Sequence, residues 1–341
     1  MAVRVGINGF GRIGRNFLRA ALAQAGGPGE EVEVVGVNDL VPTATNAHLL
    51  KYDSAHGPLG FPIAHTETSI TVADKTISVT ATKEPKALPW GDLGVDVVIE
   101  STGIFTDGEQ ASAHLDAGAP RVIISAPASN VDGTFVVGVN DDTFDPAEHT
   151  IVSNASCTTN CFVPMIKVLD DAFGVTKGLM TTVHASTNDQ NLLDLAHKDM
   201  RRARAAGVNI VPTGTGAARA TSLVLESMKG KLDGQALRVP VIDGSITDFT
   251  GILGRDVTVD EVNDAFRAAS EKGPLSEVLV YTDEPIVSSD IVGSAASCTY
   301  DSLLTMALGS LVKVFGWYDN EWGYSCRLVD LARIIGAANH G

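Results

Sequence analysis

The first 25 residues constrain this chain more than any other stretch. Residues 3–8, Val-Arg-Val-Gly-Ile-Asn, read as a strand, and Gly9-Phe10-Gly11-Arg12-Ile13-Gly14 opens a helical pattern over 11–25. In a chain with 34 glycines, a G-x-G-x-x-G run arises easily by chance. The strand before it and the helix after it are what give it meaning. In that setting Gly9 permits a tight turn, Gly11 lets the backbone approach a pyrophosphate, and Gly14 lets the helix pack on the strand. The helix start then presents unpaired N–H groups to an anion.

A second strand over 32–38 ends at Asp39. An acid there binds the adenosine ribose hydroxyls and repels a 2′-phosphate, which points to NAD as cofactor. An ordinary strand-end acid is the alternative. The spacing from the glycines is longer than usual, and the Gly-rich stretch 26–31 accounts for it as a longer loop. Further strands are predicted at 95–100, 121–125, 134–139 and 150–154, with a helix at 108–117. Alternating strands and helices with continuous apolar strands predict a doubly wound parallel α/β sheet.

The second half changes character. A strand at 179–185 ends in His184 and Ala185, followed by an irregular polar stretch over 186–215 carrying Lys198, Arg201, Arg202 and Arg204. Charge runs usually form solvated faces, but so long an irregular segment is often functional. An Ala-rich segment at 216–228 follows, then strands at 236–241 and 245–251. A helix at 259–272 is bounded by Thr258 with Glu261 three residues on, and by Gly273-Pro274. This half is predicted to be an α+β domain.

The 341 residues fit two domains. With 25 Lys+Arg against 41 Asp+Glu, a net charge of −16 argues against general nucleic-acid or anionic-membrane binding. An anionic small substrate remains open, because a pocket can be locally positive. The N-terminal strand leaves no room for a secretory leader, and no apolar run is long enough for a transmembrane helix. A cytoplasmic location is expected, where thiols stay reduced. The four cysteines, 157, 161, 298 and 326, form neither a disulfide scaffold nor a zinc pattern, so no metal is expected.

Cys157 follows Ser153-Asn154-Ala155-Ser156, small and hydroxylic residues typical of a strand-to-helix turn. In the first helical turn the dipole favours a thiolate. Two buried structural cysteines, Cys157 and Cys161, are the alternative. Apolar residues are scarce around Cys157, and Cys161, one turn on, takes the structural role. Of eight histidines only His184 ends an apolar strand and runs at once into polar residues. That placement suits a catalytic base, although chain separation leaves contact with Cys157 undecided.

These stretches resemble the phosphorylating glyceraldehyde-3-phosphate dehydrogenases over nearly the whole chain. The resemblance is carried by INGFGRIGR at 7–15, ESTGIFT at 100–106, SNASCTTNC at 153–161, TTVH at 181–184, TNDQ at 187–190, HKDMRRARAA at 197–206, TGAARA at 215–220, KGKLDGQALRVP at 229–240 and WYDNEWGYS at 317–325. It implies a Rossmann-type NAD domain over 1–156, completed by a C-terminal helix at 322–341, and a catalytic domain with a mixed sheet over 157–321. It implies a homotetramer in which 186–215 lines a neighbouring subunit's cofactor site. The implied substrates are D-glyceraldehyde 3-phosphate and inorganic phosphate, with 1,3-bisphosphoglycerate formed through a thioester on Cys157. His184 would keep Cys157 as thiolate and act as base, and with the Cys157 N–H would hold the oxyanion. Cofactor residues carried over are Gly9, Gly11, Arg12, Ile13, Gly14, Asp39, Ser101, Thr102, Gly103, Ser125, Asn320 and Tyr324. Thr187 and Arg238, oriented by Asp189, would hold the substrate phosphate; Ser156, Thr158, Thr215 and Gly216 would hold the attacking phosphate.

The chain departs from the family at several points. Ser186 stands where Tyr is usual, and Ala196 where Pro is usual, beside the adenosine ribose. Residues 293–297 read GSAAS in place of DPHSS, and 238–245 read RVPVIDGS in place of RVPTPNVS. Drift and an isozyme with walls reshaped against an electrophilic inhibitor both fit these changes. Erythrose-4-phosphate dehydrogenase, with the same fold and Cys–His pair, and a secondary non-catalytic binding role are the competing functions.

Overall fold

The computed structural model describes residues 2–24 and 31–338. Ala25, the predicted loop at 26–30 and the last residues of the predicted C-terminal helix, 339–341, lie outside them. Two units emerge, residues 1–155 with 325–341, and residues 156–324.

The first unit begins β1 (Val3–Asn8), α1 (Arg12–Ala23), β2 (Val32–Asn38), α2 (Thr43–Lys51), β3 (Ile63–His65), β4 (Ser69–Val72) and β5 (Lys75–Thr80). It continues β6 (Val97–Glu100), α3 (Gly108–Ala111), α4 (Ala113–Asp116), β7 (Val122–Ile124), β8 (Gly133–Thr134) and β9 (Ile151–Ser153). The strands form one sheet in the order β3-β4-β5-β2-β1-β6-β7-β9-β8. Its body is parallel, but β4 runs antiparallel to β3 and β5, so the all-parallel expectation fails at that edge. The hairpin residues alternate at the surface, with Ile70, Val72 and Ile77 buried and Thr71 and Thr76 outward, the pattern of a sheet covered on one face. The predicted helix at 108–117 is two short helices, and the predicted strand at 134–139 pairs only through Gly133–Thr134.

Chain order reverses beside β1, which pairs β2 on one side and β6 on the other. Nucleotides bind at such a switch point, outside the carboxyl ends of the strands. Beneath that point lies a buried polar chain that the sequence pattern did not disclose. Trp90 Nε1 donates to His114 Nδ1 at 3.0 Å, and His114 Nε2 meets Glu100 at 2.9 Å. Because the indole N–H can only donate, the His114 proton sits on Nε2 and points at the carboxylate. Asn8 Nδ2 donates to the same Glu100 oxygen, Oε2, at 2.6 Å.

The second unit contains α5 (Cys157–Phe173), β10 (Val175–Ala185), β11 (Val211–Gly214), α6 (Ala217–Val224), β12 (Leu232–Val239) and β13 (Ser245–Leu253). It continues α7 (Val259–Glu271), β14 (Leu279–Thr282), α8 (Ser288–Ile291), β15 (Cys298–Asp301), β16 (Met306–Leu308) and β17 (Leu311–Tyr318). The sheet order is β11-β12-β10-β13-β17-β15-β14, with β16 on β17. It is mixed: β10 is parallel to β12 and antiparallel to β13. One face is covered by α5, whose Phe162 ring lies 5.4 Å from that of Phe249. Gly316 is required under this helix, since a Cβ there would fall 2.5 Å from Met165 Sδ and 2.6 Å from Cys298 Sγ. Helix α7 carries the capping box read from Thr258 and Glu261. Helix α9 (Trp322–Ala337) ends the described chain; its Gly336 lies so close to Val3 of β1 that a Cβ would be 2.1 Å away.

Candidate active site

The glycine loop follows directly from β1. Gly9 has φ +92°, and a Cβ there would fall 2.6 Å from Thr102 N. A Cβ on Gly14 would collide with the Gly9 carbonyl at 2.3 Å, whereas Gly11 faces open space. The loop is thus closed beneath and open above, a cradle that accepts a ligand's phosphates at the start of α1. Asp39 lies against the loop, accepting from Phe10 N at 2.8 Å and Val41 N at 2.9 Å. Its carboxylate therefore also fastens the turn. Ser101 donates to Gly9 O, Thr102 bonds Glu100, Gly103 takes φ +71°, and Ser125 N donates to Glu100 O, so these four line the ends of β6 and β7. Ile13 is half-buried in the first turn of α1. Arg12 is held by Asp53 at 2.7 Å and 3.2 Å, a partner that sequence reasoning missed.

Between β9 and α5, Ala155 has φ +55°, an uncommon conformation for a residue with a side chain, and marks the sharp turn there. Ser156 caps the helix, its Oγ accepting from Thr159 N at 3.1 Å. Cys157 is consequently the first helical residue. Strand β10 ends beside it, and Cys157 Sγ lies 3.4 Å from His184 Nε2. Parallel pairing of β10 with β12 sets Arg238 directly beside His184.

Burial works against the expected thiolate. Burial pushes the Cys157 thiol from 9.0 up to about 11, against the favourable charge of Arg238. Burial, then Arg238, pushes the His184 imidazole down to about 3. A helix terminus contributes roughly 0.3–1 kcal/mol, less than one pKa unit, so desolvation outweighs it. Both shifts favour the uncharged forms. Cys161 is fully buried, its thiol pushed well up by burial and by Cys298, as a structural cysteine should be.

Two residues of the expected anion sites, Asp189 and Thr158, have other partners. The Asp189 carboxylate is taken by Thr187 and by Arg202, not by Arg238. Arg202, from the supposed solvated run, was missed in this role. The Thr158 hydroxyl is buried, bonding Tyr318 Oη at 2.9 Å, which bonds Thr182 at 2.8 Å. Thr158 thus offers phosphate a hydroxyl already shared with Tyr318. Thr215 Oγ1 accepts from Ala217 N, and Gly216 precedes α6, both reachable from solvent. Asn320 is fixed by Ser245 Oγ at 2.7 Å, and Ser245 also accepts from Ala185 N beside the catalytic histidine. Tyr324 is buried.

The altered stretches at 241–245 and 293–297 meet at one residue. Asp319 accepts from Gly293 N at 2.7 Å and shares a hydrogen bond with Asp243. Burial, then the charge of Asp319, pushes the Asp243 carboxyl up to about 9, so it holds a proton at neutral pH.

A doubly wound nucleotide-binding sheet in one unit and a helix-start cysteine against a strand-end histidine in the other define a cysteine-dependent dehydrogenase. Residues 3–108 match the glyceraldehyde 3-phosphate dehydrogenase NAD binding domain, and residues 156–320 match the C-terminal domain of that enzyme. The chain is 61% identical to the glyceraldehyde-3-phosphate dehydrogenase of Streptomyces coelicolor over 98% of its own length and 99% of the relative's. It is 60% identical to glyceraldehyde-3-phosphate dehydrogenase 2 of Streptomyces avermitilis, with the same coverage of both chains. It is 58% identical to the glyceraldehyde-3-phosphate dehydrogenase of Mycobacterium avium, again over 98% of this chain and 99% of that one. The chain belongs to the glyceraldehyde-3-phosphate dehydrogenase family, enzymes that use NAD.

Proposed function

We propose that this chain oxidises D-glyceraldehyde 3-phosphate to 1,3-bisphosphoglycerate, with NAD and inorganic phosphate, through a thioester on Cys157. The observation that carries this reading is the Cys157 Sγ–His184 Nε2 approach of 3.4 Å at the first residue of α5. The glycine cradle fits NAD, which when bound supplies the hydride acceptor. His184 accepts the Cys157 proton, leaving Sγ to attack the aldehyde carbon. The Cys157 backbone N–H, unpaired at the helix start, then donates to the developing oxyanion with the His184 Nε2–H. His184 takes the hemithioacetal proton in the oxidation step. Phosphate oxygen attacks the thioester carbon, and the Cys157 thiolate leaves.

Arg238 and Thr187 are assigned to the substrate phosphate. Ser156, Thr158, Thr215 and Gly216 are assigned to the attacking phosphate, Asp39 to the adenosine ribose, and Asn320 to the nicotinamide amide. A homotetramer is supported by the 186–215 stretch, where Leu192 and Met200 are each 80% exposed and Leu193 74%. Apolar groups so exposed and so close together mark a partner surface. A cytoplasmic location rests on the reduced thiols; no helix among the described residues is long and apolar enough to cross a membrane.

The test is NADH formation from glyceraldehyde 3-phosphate and from erythrose 4-phosphate, each with and without inorganic phosphate. Phosphate-dependent turnover favouring the three-carbon aldehyde is expected. Preference for erythrose 4-phosphate without need of phosphate would overturn the reading.

A further inference from the structure

A polar row crosses the carboxyl edge of the nucleotide-binding sheet. Thr80, Asn38, Asn8 and Glu100 are the last residues of β5, β2, β1 and β6, which are neighbouring strands, and they pair side by side in register. Thr80 Oγ1 donates to Asn38 Oδ1 at 3.0 Å, Asn38 Nδ2 to Asn8 Oδ1 at 2.8 Å, and Asn8 Nδ2 to Glu100 Oε2 at 2.6 Å. The His114 Nε2–H reaches the same oxygen at 2.9 Å. Thr102 donates to Glu100 Oε1 twice, through its backbone N–H at 2.8 Å and through its hydroxyl.

The row has one direction. At one end the Thr82 backbone N–H donates to Asn38 Oδ1 at 2.8 Å, which fixes how the Asn38 amide points and, through it, the Asn8 amide. At the other end the Trp90 indole N–H fixes the His114 tautomer. The side-chain bonds along the row therefore all run toward Glu100, its one side chain that only accepts. Among the described residues no lysine or arginine pairs with this carboxylate, which is 2% exposed. A charge so buried is tolerated where hydrogen bonds replace water, and here the donors of Asn8, His114 and Thr102 do so.

Three of the four strands run on into residues assigned to NAD: β1 into the glycine loop, β2 into Asp39, and β6 into Ser101, Thr102 and Gly103. Backbone pairing does not level these loops by itself, because the register of β1 against β2 shifts between Val5 and Gly6. The Asn8–Asn38 bond sets the register beyond that bulge. Thr102, tethered to Glu100, is also the wall against which Gly9 closes.

We infer that Glu100 is a positioning residue for NAD: it draws the donors of β1, His114 and Thr102 onto one buried carboxylate and so holds the glycine loop, Asp39 and Ser101–Gly103 in the relative positions the dinucleotide needs. Its effect falls on cofactor binding and not on the chemical step. The inference rests on the assignment of those residues to NAD.

Glu100→Gln is the sharpest test, because an amide of the same shape sets its NH2 against donors whichever way it turns. Calorimetry should show NAD binding weakened about tenfold, the loss of one charged hydrogen bond, with kcat at saturating NAD and the KM for glyceraldehyde 3-phosphate within about twofold of wild type. Asn8→Ala cuts the row but leaves the carboxylate its other donors; it should weaken NAD about threefold, and it carries the test if Glu100→Gln does not fold. Trp90→Phe controls for stability: it leaves a cavity and lowers the melting temperature, yet NAD affinity should stay within about twofold of wild type. Wild-type NAD affinity in both row variants overturns the inference. So does a loss seen in kcat and not in affinity, or a weakening in Trp90→Phe equal to that in Glu100→Gln. Phosphate-dependent turnover by the wild type with NAD affinity unchanged in the row variants sinks the inference and leaves the proposed function standing. Weakened NAD binding in the variants of a chain that does not turn over glyceraldehyde 3-phosphate does the reverse.

Discussion

Cys157 and Cys161 lie one turn apart, yet one is half-buried beside an imidazole and the other is sealed beneath β17. Cys157→Ser should abolish aldehyde oxidation, because a hydroxyl is too weak an acid for His184 to activate. Cys161→Ser should keep most of the activity and lose about 1 kcal/mol of stability, since the new hydroxyl can still donate to the Gly316 carbonyl. NADH formation and denaturant midpoints read both; equal loss of activity in the two variants would reassign the nucleophile. Asp39 does two jobs, and substitution must separate them. Asp39→Asn retains one oxygen for the Phe10 or Val41 N–H and removes the charge. NAD binding should weaken about tenfold, the loss of one charged hydrogen bond, and NADP should gain relative to NAD. Fluorescence titration with both nucleotides decides, and unchanged ratios would remove Asp39 from the ribose site.

At the scale of elements, the turn between β12 and β13 and the turn after β17 are tied by a buried acid pair. Asp243 and Asp319 are each 1% exposed, and Asp319 also accepts from Glu321 N and Trp322 N at the start of α9. A carboxyl raised from 3.8 to about 9 on folding takes up a proton. Its cost to stability is absent below the unfolded pKa and grows as pH rises toward the folded one. The related stretch RVPTPNVS places Asn at this position, and an amide can donate to a carboxylate without titrating. Asp243→Asn should therefore raise stability at pH 8 by on the order of 1–3 kcal/mol and flatten its decline between pH 5 and 9. Thermal melts across that range check it; a wild-type profile that is already flat would contradict the shared proton.

At the scale of the whole molecule, the 186–215 stretch is the feature a lone chain leaves unexplained. It holds itself together through Arg202 with Asp189 and Asp199, and Arg204 with Asp194, while its leucines face outward. Light scattering should give a mass near four times the 35.6 kDa of one chain. Leu192→Glu with Leu193→Glu should shift that mass toward smaller species, because a charge buried at an interface costs several kcal/mol unless paired. A monomeric wild-type protein would refute the tetramer.

The strand-to-glycine-loop-to-helix start, the capping box at Thr258, and Cys157 as a helix-start thiol were all legible in the sequence. Each is a local matter, settled by turn chemistry and by residues within a few positions of one another. The antiparallel hairpin edge was missed because its three strands are short and half-exposed, with too little periodicity to stand out. The burial around the Cys157–His184 pair, the diversion of Asp189 to Arg202, the burial of the Thr158 hydroxyl and the seat of Arg238 on His184 were decided only by the tertiary structure. Those depend on strand register and on desolvation by residues as far along the chain as Tyr318. A local pattern of residue types carries information about backbone conformation. It carries little about which distant charge or how little water surrounds a group once the chain has closed on it.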